Sequence, residues 1–199
     1  MPLLSPPARR RLLRGLVPAL ALLGLCATSS ASVANALEVK RTPEYDLKAV
    51  FLYQFAHFVE WPARAFADAH SPITIGVLGE DPFGGGLDEI VTNEAVGGRK
   101  LVVRRYRTVD EIDTCHVLFI CPSEASRMAA ILTRLKGRNL LTVGDTKDFV
   151  AQNGIVGFTL ARNRLKLRIN LAAADTAKLI ISSKLLRQAE IVHPKGSQG

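Results

Sequence analysis

Ile73-Thr74-Ile75-Gly76-Val77-Leu78, followed by Gly79-Glu80-Asp81-Pro82-Phe83 and then by Gly86 to Val91, decides the fold. The first six residues are apolar almost throughout, the pattern of a strand buried on both faces, as in a parallel sheet. Asp81 suits a helix N-cap and Pro82 the first helical position, so a turn and a helix over Gly86 to Val91 should follow. A strand feeding a helix is half of a strand–helix–strand unit, and the rest of the chain supplies more of them.

Downstream, Gly97-Gly98 opens a second strand, Leu101 to Arg105, and Val109 to Asp113 reads as a short helix. A third strand covers Val117 to Ile120. Pro122-Ser123 starts a helix through Met128, Ile131, Leu132 and Leu135, which Gly137 stops. Leu140 to Val143 is a fourth strand, with Asp145-Thr146 capping a short helix to Ala151. Ile155 to Ala161 and Leu165 to Leu171 form a hairpin around Arg162-Asn163-Arg164. Its second arm alternates, with Leu165, Leu167, Ile169 and Leu171 on one face and Lys166, Arg168 and Asn170 on the other. A last helix spans Ala173 to Gln188, and Pro194 to Gly199 reads as a disordered tail. Upstream, a first helix covers Glu44 to Glu60, with Leu47, Val50, Phe51, Phe55, Phe58 and Val59 on one face, ended by Trp61-Pro62. The predicted fold is α/β: a single-domain three-layer sandwich around a mixed, mostly parallel sheet of five or six strands, closed by the C-terminal β-hairpin plus helix.

The beginning of the chain is different. Arg9, Arg10, Arg11 and Arg14 precede an uncharged, mostly apolar run of 13 residues, Gly15 to Ala27, and Ala34-Asn35-Ala36 fits an A-x-A cleavage site. The run is shorter than the ~20 residues a spanning helix needs. Residues 1–36 are expected to be a cleavable secretory signal peptide, leaving 37–199 as one domain in the periplasm. Removing the four arginines lowers the formal charge from +8 to +4. A mild positive charge in an exported protein does not argue for nucleic acid. It suits ordinary solubility, or docking on an anionic membrane surface or an acidic partner.

Chemistry is sparse. Cys115 and Cys121 bracket a predicted strand, which would hold their Cα atoms roughly 20 Å apart, far beyond the reach of a disulfide. On that strand the two share one face and His116 takes the other, so no metal set forms. Ser123, His116 and Asp145 are the residue types of a hydrolase triad, without a G-x-S-x-G elbow. Gly84-Gly85-Gly86 lacks the lysine and spacing of a phosphate loop. No catalytic residue, metal or cofactor is predicted. One collective site remains: ligands of open α/β sheets lie beyond the carboxyl ends of the strands. Gly79, Glu80, Asp81, Ser123 and Asp145 lie there, beside Tyr106, Glu124 and Thr146, as candidate ligand-binding residues. Tyr53 and Trp61 lie off the apolar face of the first helix and are candidate contacts for a protein partner.

Val50-Phe51-Leu52-Tyr53-Gln54-Phe55-Ala56-His57-Phe58-Val59-Glu60-Trp61-Pro62, Ile75 to Phe83, Cys115 to Ile120, Leu141-Thr142-Val143-Gly144-Asp145, Ile155 to Phe158, Ile169 to Ala173 and Ile181 to Leu186, in that order, together resemble the YfiR family of periplasmic regulators. The resemblance implies a non-enzymatic regulator. It would bind the periplasmic segment of an inner-membrane diguanylate cyclase or other sensor protein and repress it, lowering cyclic di-GMP and biofilm formation. Tyr53, His57 and Trp61 are then the partner-binding residues. A homodimer stays open, and a small-molecule ligand at the strand ends is the alternative reading. Disulfides stabilise the family's type member. Here Gly76 stands where a partner for Cys115 would be expected, so a redox switch built on intramolecular bridges is not expected.

Overall fold

The structure is a computed structural model and describes residues 42–162 and 164–193. The expected signal segment and tail lie outside the described residues. In chain order the elements are α1 (Pro43–Phe58), β1 (Val59–Glu60), β2 (Ile73–Leu78), α2 (Gly86–Val91), β3 (Ala95–Val96), β4 (Arg99–Tyr106), β5 (Val117–Ile120), α3 (Met128–Leu135), β6 (Leu141–Gly144), β7 (Val156–Ala161), β8 (Arg164–Ile169), α4 (Leu171–Thr176), β9 (Ile180–Ile181), α5 (Ser183–Leu186) and β10 (Ala189–Ile191). Short 3-10 turns occupy Val109–Glu111 and Pro122–Arg127.

Eight strands form the main sheet in the order β10-β8-β7-β6-β5-β2-β4-β3. The pairs β4/β2, β2/β5, β5/β6 and β6/β7 are parallel. β7/β8 and β3/β4 are antiparallel, and β10 adds to β8 in parallel. The five parallel strands run second-first-third-fourth-fifth in space, a doubly wound order whose switch point falls between β2 and β5. The sheet exceeds the expected five or six strands because two- and three-residue pieces extend its edges, below the length that alternation reveals.

Alternation along the buried strands divides the core. Ile73, Ile75, Val77, Val117, Phe119 and Val143 face one layer, packed by α1, α2, α4 and α5. Leu78, Leu118 and Ile120 face the other, packed by α3, Ile112 and Phe149. Phe149 fills a slot that only glycines leave open. A Cβ on Gly144 would lie 2.5 Å from its ring, and one on Gly154 would collide with it outright.

Four expectations are corrected. The first helix stops at Phe58, because Val59 and Glu60 pair with Ile181 and Ile180 in a separate antiparallel ribbon. That ribbon also breaks the predicted last helix into α4, β9 and α5, and Lys178 with φ 59° ends the first helical run. The predicted helix from Asp145 to Ala151 is a series of turns, with Asp148 at φ 61° and the Asp145 side chain drawn away from any capping role. The apolar face of α1 is rotated: Lys48, Ala49, Leu52, Phe55 and Ala56 are buried, while Leu47 and Val50 are 46% and 41% exposed.

The Phe149 slot makes a direct test. Gly154→Ala should lower stability by about 1–3 kcal/mol through overpacking, read as a lower urea midpoint at unchanged slope.

Candidate functional site

The switch point is where a ligand crevice is expected, and the protein fills it with itself. Gly79 turns at φ +99° directly after β2. A Cβ there would stand 2.5 Å from Ser123 Oγ and 3.0 Å from the Glu124 side chain, so only glycine fits beneath them. The Glu80 N–H donates to Ser123 Oγ at 3.0 Å. Asp81 accepts the Phe83 N–H at 2.7 Å through Oδ1 and meets Arg105 Nε at 2.6 Å through Oδ2. Arg105 also binds Asp88, which holds that carboxyl below its ordinary range. Glu124 is buried against Arg127. Gly79, Glu80 and Ser123 are thus brought together, and Asp81 is tied to the next strand.

Asp145 does something else. Its Oδ2 lies 2.5 Å from Lys48 Nζ and accepts the Tyr45 hydroxyl at 3.0 Å. Lys48 is 2% exposed, sits over the Tyr45 ring at 4.1 Å and also meets Glu44 at 2.5 Å. Burial, then the neighbouring Asp145 carboxylate, raises the Tyr45 pKa, so the phenol keeps its proton. Tyr45 also packs edge-on against Phe83 and Phe119, which links this ion pair to the middle of the sheet. Asp145 Oδ1 and Thr146 Oγ1 are buried and have no protein partner among the described residues. Both residues line a cleft of about 350 Å³ between the turns after β6, the start of α1 and the β7–β8 hairpin. Sequence reading missed Lys48. Its one signal was a position three residues after Tyr45 and four before Leu52 in a helix whose other inward residues are apolar or aromatic.

The aromatic candidates separate. Tyr53 and His57 lie together on the outer side of α1, ring centroids 4.9 Å apart, and the Tyr53 hydroxyl donates to Glu94 at 3.0 Å. Trp61 is half-buried beyond the helix, its indole N–H donating to the His116 carbonyl at 3.1 Å. His116 is fully buried. Its Nδ1 accepts the Thr74 N–H at 3.0 Å, so Nε2 carries the proton and donates to the Ala65 carbonyl at 3.1 Å. The ring stacks on Phe66 at 4.4 Å, and Arg99 covers the other face of Phe66. One imidazole therefore pins the loop after α1 to the start of β2. Burial lowers its pKa below 6.5, with Arg99 acting in the same direction and the Ala65 hydrogen bond opposing.

Cys115 and Cys121 are free and buried. The expectation that they share one face is corrected, because β5 begins only at Val117 and Cys115 falls outside it. Cys121 lies in the layer of α1 and Cys115 in the layer of α3. Gly76 faces Cys115: a Cβ there would lie 2.7 Å from Cys115 Sγ. Among the described residues no group of three or more His, Cys, Asp or Glu side chains is placed to hold a metal, and no helix is long and apolar enough to cross a membrane.

Most polar groups at the strand ends are tied to neighbours within the chain, Asp145 Oδ1 and Thr146 Oγ1 excepted, and the exposed large apolar side chains among the described residues are Leu47 and Val50 on α1, Leu160 on the hairpin and Ile180 on β9. The fold is that of a doubly wound α/β domain. Residues 45–190 match the YfiR/HmsC-like family, and the chain belongs to it. The family is regulatory, not catalytic, and is associated with periplasmic control of diguanylate cyclase signalling. No curated protein matches the sequence. Among solved structures the chain is similar to a conserved domain protein from Vibrio cholerae O1 biovar El Tor, at 15% identity and a TM-score of 0.44, over 60% of this chain and 54% of that one. The chain thus spans about half the length of that protein.

Two measurements test this geometry. A histidine held neutral in the fold stabilises fully above the unfolded value near 6.5, and the stability falls as the pH drops below it, by at most about 1.4 kcal/mol per pH unit. Urea titrations between pH 7.5 and 5 should show that slope, and His116→Gln should flatten it. Gly76→Cys, folded under oxidising conditions, should bridge to Cys115, so that two fewer thiols titrate after denaturation than the variant has cysteines. A full thiol count would show that the side chains cannot meet.

Proposed function

We propose that this chain is exported, acts in the periplasm as residues 37–199, and represses an inner-membrane diguanylate cyclase by binding its periplasmic segment. The observation that carries this reading is the family match over residues 45–190. Support comes from the outer side of α1, where Tyr53 and His57 stand side by side, with half-buried Trp61 beyond the end of the helix. Aromatic side chains are the usual anchors of such interfaces. Repression then needs no chemistry on this chain. It needs a rigid surface that fits one state of the cyclase better than the other, and the shift can be no larger than the difference between those two affinities.

A second reading, a sensor for a small ligand at the strand ends, draws on Asp145 Oδ1 and Thr146 Oγ1, two buried acceptors beside the cleft without protein partners. The two readings are compatible if the ligand governs release.

The test is capture from solubilised membranes of the native host by the C-terminally tagged chain. The expected result is one enriched inner-membrane protein that carries a periplasmic segment and a cytoplasmic cyclase domain. Tyr53→Ala combined with His57→Ala should weaken that capture tenfold or more while leaving the melting temperature close to wild type. An empty capture with a folded, abundant bait would overturn the repressor reading.

A further inference from the structure

The β7–β8 hairpin outruns its neighbour. β6 pairs with β7 only at Val156 and Gly157 and ends at Gly144. β8 pairs with all six residues of β7, out to Ala161. Phe158 to Ala161 therefore have a strand on one side only, and beside them opens the cleft of about 350 Å³, whose hairpin wall includes Thr159, Leu160, Leu165 and Arg168 and whose far wall includes Glu44, Lys48, Asp145 and Asp148. Directly after β6 the Asp145 side chain meets Lys48 and the chain runs into turns.

Open strand edges are usually guarded by lysine, proline or a bulge. Val156-Gly157-Phe158-Thr159-Leu160-Ala161 contains no charge and no proline, and the ladder to β8 is unbroken. Leu160 is 56% exposed. It lies opposite Leu165, on the same face as Phe158, which packs on Phe51 of α1 at 5.8 Å. α1, which meets the hairpin through Phe51, also exposes Leu47 and Val50. The opposite face carries Thr159 and Ala161, with Lys166 and Arg164 as their cross-strand partners. From Ile155 to Leu171 the chain has four basic residues, Arg162, Arg164, Lys166 and Arg168, and no acidic one.

We propose that the open edge of β7 from Phe158 to Ala161 receives an extended segment of a partner protein as an added strand, and that this segment alternates apolar and acidic residues. Its backbone completes the ladder that β6 abandons. Its apolar side chains share the face of Leu160 and Leu165, and its carboxylates share the face of Lys166 and Arg164, where small Thr159 and Ala161 leave room for the long basic side chains. Main-chain pairing supplies affinity and the alternating side chains supply specificity, as in other strand additions. A second copy of this chain is a poor occupant, because two hairpins of this charge would lie edge to edge. The inference rests on the reading of the chain as a partner-binding protein and names the surface and the chemistry of what it binds.

The probe is a fluorescent eight-residue peptide of alternating valine and glutamate, titrated onto the full chain at low salt. Binding is expected, with slowed hydrogen exchange at Phe158 to Ala161. Methylating alternate backbone nitrogens along one peptide edge should weaken it tenfold or more, as should Leu160→Asp or Lys166→Glu together with Arg164→Glu, all at exposed or half-exposed positions. No binding overturns the proposal. So does equal binding of the methylated peptide, which would mean charge attraction alone, or protection at Phe158 to Ala161 that appears without peptide as the chain dimerises. The membrane capture separates this proposal from the function it serves. A cyclase captured equally well by wild type and Leu160→Asp leaves the repressor reading standing and removes the edge. A chain that captures nothing yet binds the peptide does the reverse.

Discussion

The contact between Lys48 and Asp145 sets the position of α1 on the sheet. A lysine buried this fully loses its hydration, and removing one member of such a pair typically costs about 3–5 kcal/mol. Here two carboxylates and the face of Tyr45 replace the lost water. Because Asp145 follows directly on β6, the ion pair pins the rotation of α1 about its own axis. Leu52 and Phe55 then point into the core, and Leu47 and Val50 into solvent. Past that contact β6 has ended, and β7 runs on without a neighbour along its outer half. The helix rotation, the cleft and the open strand edge thus meet at one residue, Asp145.

The sequence was most legible where a single local rule governed. β2, α2 and β5 begin and end where they are predicted, because doubly buried strands and a helix entered from a run of glycines are set by nearby residues, although Asp81 holds the turn at Phe83 and does not cap α2. It was least legible where distant partners decide. Val59-Glu60 and Ile180-Ile181 look helical in isolation, and each is a strand only because the other is there. The rotation of α1 was misread for a similar reason: a lysine among apolar residues scores as surface until its carboxylate, almost a hundred positions away, is known. Of the candidate ligand residues, Gly79, Glu80 and Ser123 do meet one another. What the sequence could not show is that Ser123 itself fills the crevice above Gly79.

His116 illustrates how a buried polar group acts as a structural tie. Both ring nitrogens are satisfied, one by the backbone at the start of β2 and the other by the loop after α1. Its carbonyl holds Trp61 as well. A residue that looks like a triad histidine in the sequence is fully spent on joining two backbone segments, and it has no free nitrogen for proton transfer to Ser123.

The separation of Cys115 and Cys121 onto opposite layers has a consequence for the order of events in folding. Burial raises the Cys115 pKa to about 12 and pushes that of Cys121 up as well. At neutral pH the folded chain then holds hardly any thiolate, the form that attacks disulfides. Before the sheet closes, both thiols are exposed at ordinary acidity on a flexible chain and can react with each other or with any passing disulfide. Chemical inertness is thus a property of the finished fold, and in an oxidising surrounding the chain must close its sheet faster than its cysteines can be captured.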